Sequence, residues 1–143
     1  MNRANTSESN YYRACHGYNE RSNLALHLRS SYRPHDDHTY VPIIVTAPAK
    51  TTAKPLPHRT LCKFMVPTTM PIVALRANII AKFDKPLCAT ESHTMLAAYH
   101  PNQNSEPEYV QVCLHETVGT LDEAYRSHDG FLYIHMVPQN VFG

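Results

Sequence analysis

The sequence predicts an α+β domain, and three observations carry that prediction. Apolar residues recur at helical spacing in two separate stretches, 19–32 and 71–83. Apolar runs of strand length lie at 41–45, 61–66 and 131–137. Polar, proline-bearing segments separate these runs, as connections between packed elements do. At 143 residues the chain suits one domain with a sizeable core and an extension. Its 43% hydrophobic and 17% charged content does not point to disorder. Its longest apolar runs fall far short of the ~20 residues that a membrane-spanning helix needs.

Residues 1–17, rich in Asn and Ser, predict a frayed or only partly helical start, and a helix over 11–18 stays open. From about Asn19 to Tyr32, Leu24, Leu28 and Tyr32 recur at i, i+4 and i+8, with Arg21 and Arg29 off the stripe. That spacing predicts a short amphipathic helix. It closes an N-terminal extension, 1–34, ahead of a main domain over 35–143.

Val41-Pro42-Ile43-Ile44-Val45 is β-branched and predicts the first strand. Ala47 to His58 holds three prolines without periodicity and predicts a loop, after which Leu61 to Val66 forms a second strand stopped by Pro67. The two make a long-looped antiparallel hairpin. Pro71 to Phe83 is the clearest helix: Ile72, Leu75, Ile79 and Phe83 share a face. Pro71 fits the first turn, where a missing N–H does no harm. Thr69 and Met70 both remain open as its cap. Met95 to Tyr99 is a weaker third strand, His100 to Pro107 a polar loop, Tyr109 to Leu114 a fourth strand, and Leu121 to Arg126 a helical turn.

Ser127-His128-Asp129-Gly130 is the natural turn before the last strand. Phe131, Leu132, Tyr133, Ile134, Met136 and Val137 then make an apolar run interrupted only by His135. Such a run fits a strand covered on both faces. Pro138 has no N–H for a ladder, so 137–143 reads as a free tail ending at Gly143. A hairpin crossed by one helix, with the last strand beside the first, is a β-grasp arrangement.

Few residues offer chemistry. Net charge is +1, which disfavours nucleic acid as a partner. Residues 1–34 hold five Arg against two Glu, a net of +3. This reads as a solvated helix face rather than a membrane or acidic-partner surface. Cys15, Cys62, Cys88 and Cys113 lie far apart, which suits reduced, partly buried thiols. The polar start lacks an apolar signal core, so a cytoplasmic location is expected. His35-Asp36-Asp37-His38 reads as a solvated turn rather than a metal site. Ser127-His128-Asp129 names the residue types of a hydrolase triad, but neighbours on one turn are badly placed for that relay. No catalytic residue, metal or cofactor is expected.

At Val41-Pro42-Ile43-Ile44-Val45, Lys63-Phe64-Met65-Val66-Pro67, and Asp129-Gly130-Phe131-Leu132-Tyr133 on to Val141-Phe142-Gly143, the chain resembles the autophagy-related protein eight family. That family contains GABARAP and the microtubule-associated protein light chain three. Leu56 to Pro67 lines up with the light-chain form without a gap, and Gly119 to Gly143 with the GABARAP form. With Leu28 to Tyr32, the resemblance spans roughly Arg21 to Gly143.

The resemblance implies a ubiquitin-like fold and a modifier whose C-terminal glycine, here Gly143, is activated and passed through thioesters by partner enzymes. It is then joined to the amine of phosphatidylethanolamine. Lipidated, the protein marks the autophagosome membrane and recruits cargo receptors, and a cysteine protease deconjugates it. A sequence already stopping at Gly143 implies either that no protease is needed to expose the glycine or that this is a processed form. Receptors carrying an aromatic-x-x-aliphatic motif would add a strand to the edge at Lys63 to Val66.

Leu28, Pro42, Ile44, Lys63, Met65 and Phe131 match the pocket for the receptor's aromatic residue. Phe64, Val66, Pro67, Leu75 and Ile79 match the pocket for its aliphatic one, with Lys82 where the family has Arg. Leu75, Ile79 and Phe131 fit equally as core. The chain departs from the family at Thr60 and Leu61, which replace an acidic-basic pair. It departs also at Leu24 in an acidic position, at Asn78 in an apolar one, in the third strand, and in an insertion near Asn102 to Glu108.

Three other readings remain. Val118-Gly119-Thr120-Leu121 also resembles the sister family, autophagy-related protein twelve, whose members are joined to a lysine of a partner protein. A cysteine hydrolase and an unconjugated ubiquitin-fold adaptor are the others.

Overall fold

The computed structural model describes residues 12–31, 39–47, 59–82, 93–103 and 105–138. Its elements run α1 (Tyr12–Cys15), α2 (Tyr18–Ser31), β1 (Tyr40–Ala47), β2 (Arg59–Pro67), α3 (Ile72–Lys82), β3 (His93–Tyr99), β4 (Glu108–Gln111), α4 (Val118–Tyr125) and β5 (Leu132–Pro138). The strands form one sheet in the order β2-β1-β5-β3-β4. β5 runs parallel to β1, pairing Ile44 with Tyr133, and antiparallel to β3, pairing Met95 with Met136. The expected β-grasp arrangement is therefore present, with the last strand in the centre.

Each strand alternates between two covers. Val41, Ile43, Val45, Val66, Leu132, Ile134 and Met136 point to α3, where Ile72, Leu75 and Ile79 join them in the larger core. Ile44, Ala98, Phe131 and Tyr133 point to the opposite side and pack with Tyr12 and Ala25 of α1 and α2. Double coverage explains why β5 carries no polar alternation. Phe131 to Met136 are all buried.

The turn before β5 is as expected, and α2 tightens its requirement for glycine. Gly130 has φ +97, and a Cβ there would lie 2.8 Å from the Ala25 Cβ. Both the backbone conformation and the approach of α2 demand the missing side chain. At the other end of the sheet, α4 is capped by the Thr117 hydroxyl, which accepts from the Thr120 N–H. Its start is tied to the β2–α3 turn: the Val118 and Gly119 N–H groups donate to the Met70 and Thr68 carbonyls, both at 2.9 Å.

Several expectations need correction. The start is partly helical, as one of its open readings had it, with the single turn α1; residues 1–11 are outside the described set. In α2 Leu24 and Leu28 of the expected stripe pack half-buried against the core, but the fully buried residues beside them are Arg21 and Ala25. Arg21 reaches the interior because Asp129, 108 residues away, neutralises it. The basic face is thus not simply solvated.

Pro71 stands just before α3 rather than in its first turn, and its carbonyl accepts the first helical bond from the Leu75 N–H at 3.1 Å. Neither Thr69 nor Met70 takes that position, and Phe83 is outside the described residues. β4 stops at Gln111, because Cys113 to Glu116 turns to carry the chain to α4: the Glu116 N–H donates to the Cys113 carbonyl. β5 continues through Val137 and Pro138, the latter opposite His93, so 137–138 belong to the sheet and not to a free tail. Proline is tolerated there as the last residue of the strand. Cys15 and Cys113 are exposed rather than partly buried.

Candidate functional site

β2 lies at one edge of the sheet, paired only with β1 among the described strands, so the backbone groups on its outer side are available to another extended chain. Its register fixes which side chains flank that edge. Lys63 opposes Ile44 and Met65 opposes Pro42, placing both on the α2 side; Phe64 opposes Ile43 and Val66 opposes Val41, on the α3 side. A strand added here would send alternate side chains to the two sides.

On the α2 side a cavity of about 170 Å³ opens beside β2, lined by Leu24, Leu28, Pro42, Ile43, Lys63, Phe64, Met65 and Phe131. Five of the six residues expected around an aromatic side chain (Leu28, Pro42, Lys63, Met65 and Phe131) come together in it. The sixth, Ile44, is fully buried in the layer behind, packed with Phe131 and Tyr133. Sequence reasoning had assigned Phe64 to the other pocket and had not placed Leu24 or Ile43 here. Leu24 carried a signal, since it lies one turn before Leu28 on the same helix face.

Tyr12 carried no signal. It is only 4% exposed, its ring meets Phe131 edge-on at 5.4 Å, and the Lys63 ammonium sits 5.1 Å above it. A cation over an aromatic face is attracted by the ring quadrupole, so Tyr12 holds the Lys63 head group beside the cavity.

On the α3 side the residues expected to form the aliphatic pocket lie on neighbouring elements. Val66, Leu75 and Ile79 are buried members of the main core. Phe64 and Pro67 are half-buried, and the Lys82 ammonium lies 5.7 Å from the Phe64 ring centre.

The wall opposite β2 is positioned by a buried ion pair. Arg21 Nε donates to Asp129 Oδ2 at 2.7 Å, and both residues are 4% exposed. The Asp129 carboxylate also accepts from the Tyr133 hydroxyl at 2.6 Å and the Phe131 N–H at 3.0 Å. Burial first, then the neighbouring Asp129 charge, pushes the Tyr133 hydroxyl well above its ordinary pKa. It remains a donor. Arg21 Nη1 donates in turn to the Arg13 and His16 carbonyls, which fastens α1 to α2. About two turns further along, Arg29 forks onto Asp122 at 2.9 and 2.8 Å and donates to the Gly130 carbonyl. Bidentate geometry of this kind fixes orientation as well as adding energy.

No hydrolytic relay forms around Ser127-His128-Asp129. Asp129 is engaged as described, the exposed His128 rests against Tyr18, and the Ser127 hydroxyl accepts from the His100 backbone N–H at 3.0 Å. The Cys62 thiol is pushed up to about 11, mainly by burial and against the pull of Lys82, which leaves it protonated and unreactive at neutral pH. Among the described residues no group of three His, Cys, Asp or Glu is placed to hold a metal, and no helix is long and apolar enough to cross a membrane. The His35 to His38 stretch, Cys88 and Gly143 lie outside the described residues.

No protein-family model matches the chain, and no curated protein matches it in sequence. Among solved structures it is similar to ATG8 of Trypanosoma brucei, at 20% identity and a TM-score of 0.61, over 90% of this chain and 93% of that one. That likeness shows the fold, which is ubiquitin-like and α+β.

Proposed function

We propose that this protein is a ubiquitin-like modifier of autophagy. Its Gly143 would be activated and conjugated by partner enzymes, joined to phosphatidylethanolamine, and released by a cysteine protease. The observation that carries the reading is the lining of the cavity at the β2 edge. Leu28, Pro42, Lys63, Met65 and Phe131, matched to a family pocket by their sequence context, converge on one opening. The similarity to the T. brucei ATG8 structure supports the same reading.

In this role the chain is a substrate and contributes no catalytic group. It is cytoplasmic when free and on the autophagosome membrane when lipidated, held there by the adduct. Glycine suits the terminus because, lacking a side chain, it can enter a narrow channel and bend within it. Receptors with an aromatic-x-x-aliphatic motif add a strand along β2 and place the aromatic residue in the cavity. The aliphatic residue would meet Phe64, Val66, Pro67, Leu75 and Ile79 on the α3 side.

The test is expression with Gly143 intact or removed, in cells with active conjugation machinery, followed by mass spectrometry. A phosphatidylethanolamine adduct that depends on Gly143 is the expected result. An isopeptide to one protein would assign the chain to the sister modifier class, to which Val118 to Leu121 also bear a resemblance. Absence of any adduct would sink both.

A further inference from the structure

The turn that leads into β5 is clamped by His100, the residue that follows β3. Three hydrogen bonds join them. The His128 N–H donates to the His100 carbonyl at 2.9 Å, the His100 N–H donates to Ser127 Oγ at 3.0 Å, and the Ser127 hydroxyl meets His100 Nδ1 at 3.3 Å. The Ser127 oxygen accepts from the backbone, so its own proton needs an acceptor, and the residue is only 3% exposed. Among the described residues that acceptor is Nδ1. The ring proton of His100 therefore sits on Nε2, and the imidazole is neutral in the folded chain. His100 is itself buried and meets the Tyr133 ring edge-on at 5.0 Å.

A proton arriving at Nδ1 meets an unfavourable setting. The charges felt at Tyr133 are the Asp129 carboxylate and the Arg21 and Arg13 guanidinium groups. That carboxylate is already paired with Arg21 at 2.7 Å. On the turn itself His128 is exposed and rests against Tyr18 of α2, while Tyr12 of α1 stands behind Phe131. Glu106 and Glu108, further along the chain from His100, are exposed. We propose that His100 is a proton-sensitive pin for the α2 side of the sheet, holding the 127–130 turn when neutral and releasing it when protonated. Protonation turns Nδ1 from an acceptor into a donor, which strips the Ser127 hydroxyl of its partner. It also adds a cation to a buried cluster that already holds two arginines against one carboxylate. The turn carries Asp129, Asp129 holds Arg21, and Arg21 holds the Arg13 and His16 carbonyls, so release of the turn frees α1. The sign follows from the ordinary histidine value of about 6.5: the clamp is complete above it and is lost as pH falls below it.

Amide hydrogen exchange of the full chain, followed by NMR at about pH 7.5 and about pH 5.5 and corrected for the intrinsic effect of pH, tests this. Protection of the His100 and His128 amides should fall about tenfold between the two, the factor by which protonation of an exposed histidine favours the open turn over that range. His100→Asn keeps an acceptor where Nδ1 was and cannot titrate, so its fall should be about twofold or less. At both pH values these amides should be less protected than that of Ile79 in α3, the mark of a turn that opens by itself. Equal protection would mean that the turn opens only with the whole fold, and overturns the release. A fall that is absent, or that persists in His100→Asn, overturns the pin. The ring nitrogens of the unaltered chain give a check that needs no variant: the Nε2–H tautomer is expected at neutral pH, and a proton on Nδ1 overturns the proposal.

Discussion

The two covers of the sheet are built on different principles. Under α3 the contact is apolar throughout, with Ile72, Leu75 and Ile79 fully buried against Val41, Ile43 and Leu132. Under α2 the buried set includes an arginine, an aspartate and a tyrosine hydroxyl, and the helix's own leucines are only half-buried. The α3 side is held by apolar packing; the α2 side is pinned by charge, and a cavity lies beside it. An apolar core closes on itself because each added contact lowers exposed area. An ion pair sets a position without demanding that the surrounding space be filled. The opening next to β2 lies on the side held by the second kind of construction.

The comparison is broken most severely at Arg21. Arg21→Ala leaves Asp129 buried without its cation, and breaking a buried pair from one side costs about 3–5 kcal/mol. The expected result is a fall in unfolding free energy of that size by urea titration, together with loss of α1 packing, reported by exposure of Tyr12. Neutralising both partners, as in Arg21→Met with Asp129→Asn, keeps an acceptor for the Phe131 N–H and a polar partner for the Tyr133 hydroxyl, and should recover part of the stability. If the double variant is no better than the single one, the pair contributes energy and not merely position.

The α3 side responds through packing alone. Leu75→Ala removes methyl groups from a fully buried site and should cost about 2–5 kcal/mol by the same unfolding measurement. The α1 contacts should be untouched. A variant that also frees Tyr12 would mean that the two covers are coupled through the sheet.

The smallest effect concerns alkaline pH. On the α3 side the Cys62 thiol is raised from 9.0 to about 11. Its protonated form is therefore favoured by folding: the contribution is complete below pH 9 and lost as pH rises to about 11. Cys62→Ala should flatten that part of the stability profile. A further decline starting near the ordinary tyrosine value of about 10 should persist, since Tyr12 and Tyr133 on the other side are also raised by burial. Iodoacetamide at neutral pH should label exposed Cys15 and Cys113 well before Cys62. Equal labelling would contradict the burial.

What could be read from the sequence follows the same division. The α3 side was legible because its signals are local: Ile72, Leu75 and Ile79 repeat at helical spacing, and the run from Phe131 to Val137 needs no partner to be recognised as a covered strand. The α2 side was not, because the rule that charged residues face water fails when a partner lies 108 positions away. Nothing near Arg21 announces Asp129. For the candidate site, the hairpin's alternation sufficed to put Lys63 and Met65 on one side, and the resemblance supplied Leu28 and Phe131. Ile44 lies on the same side but behind the cavity lining, since alternation tells which side a residue faces and not how deep it lies. Pro138 was misplaced for a related reason: a missing N–H forbids a central position but permits the final one.

The central position of β5 also governs how the molecule can come into being. Its partners in β1 lie about 90 residues earlier, Ile44 with Tyr133 and Thr46 with His135. Contacts so distant along the chain form late and slowly. During synthesis β1 and β2 emerge early, and the inner edge of β1 must wait, unpaired, until nearly everything else described has been made. For that interval the nascent hairpin presents two open edges, one of them lined by Val41, Ile43 and Val45, the composition that favours pairing with another chain. A ribosome stalled anywhere between β3 and β5 therefore holds a sticky half-sheet. Chaperone demand should be concentrated in that window.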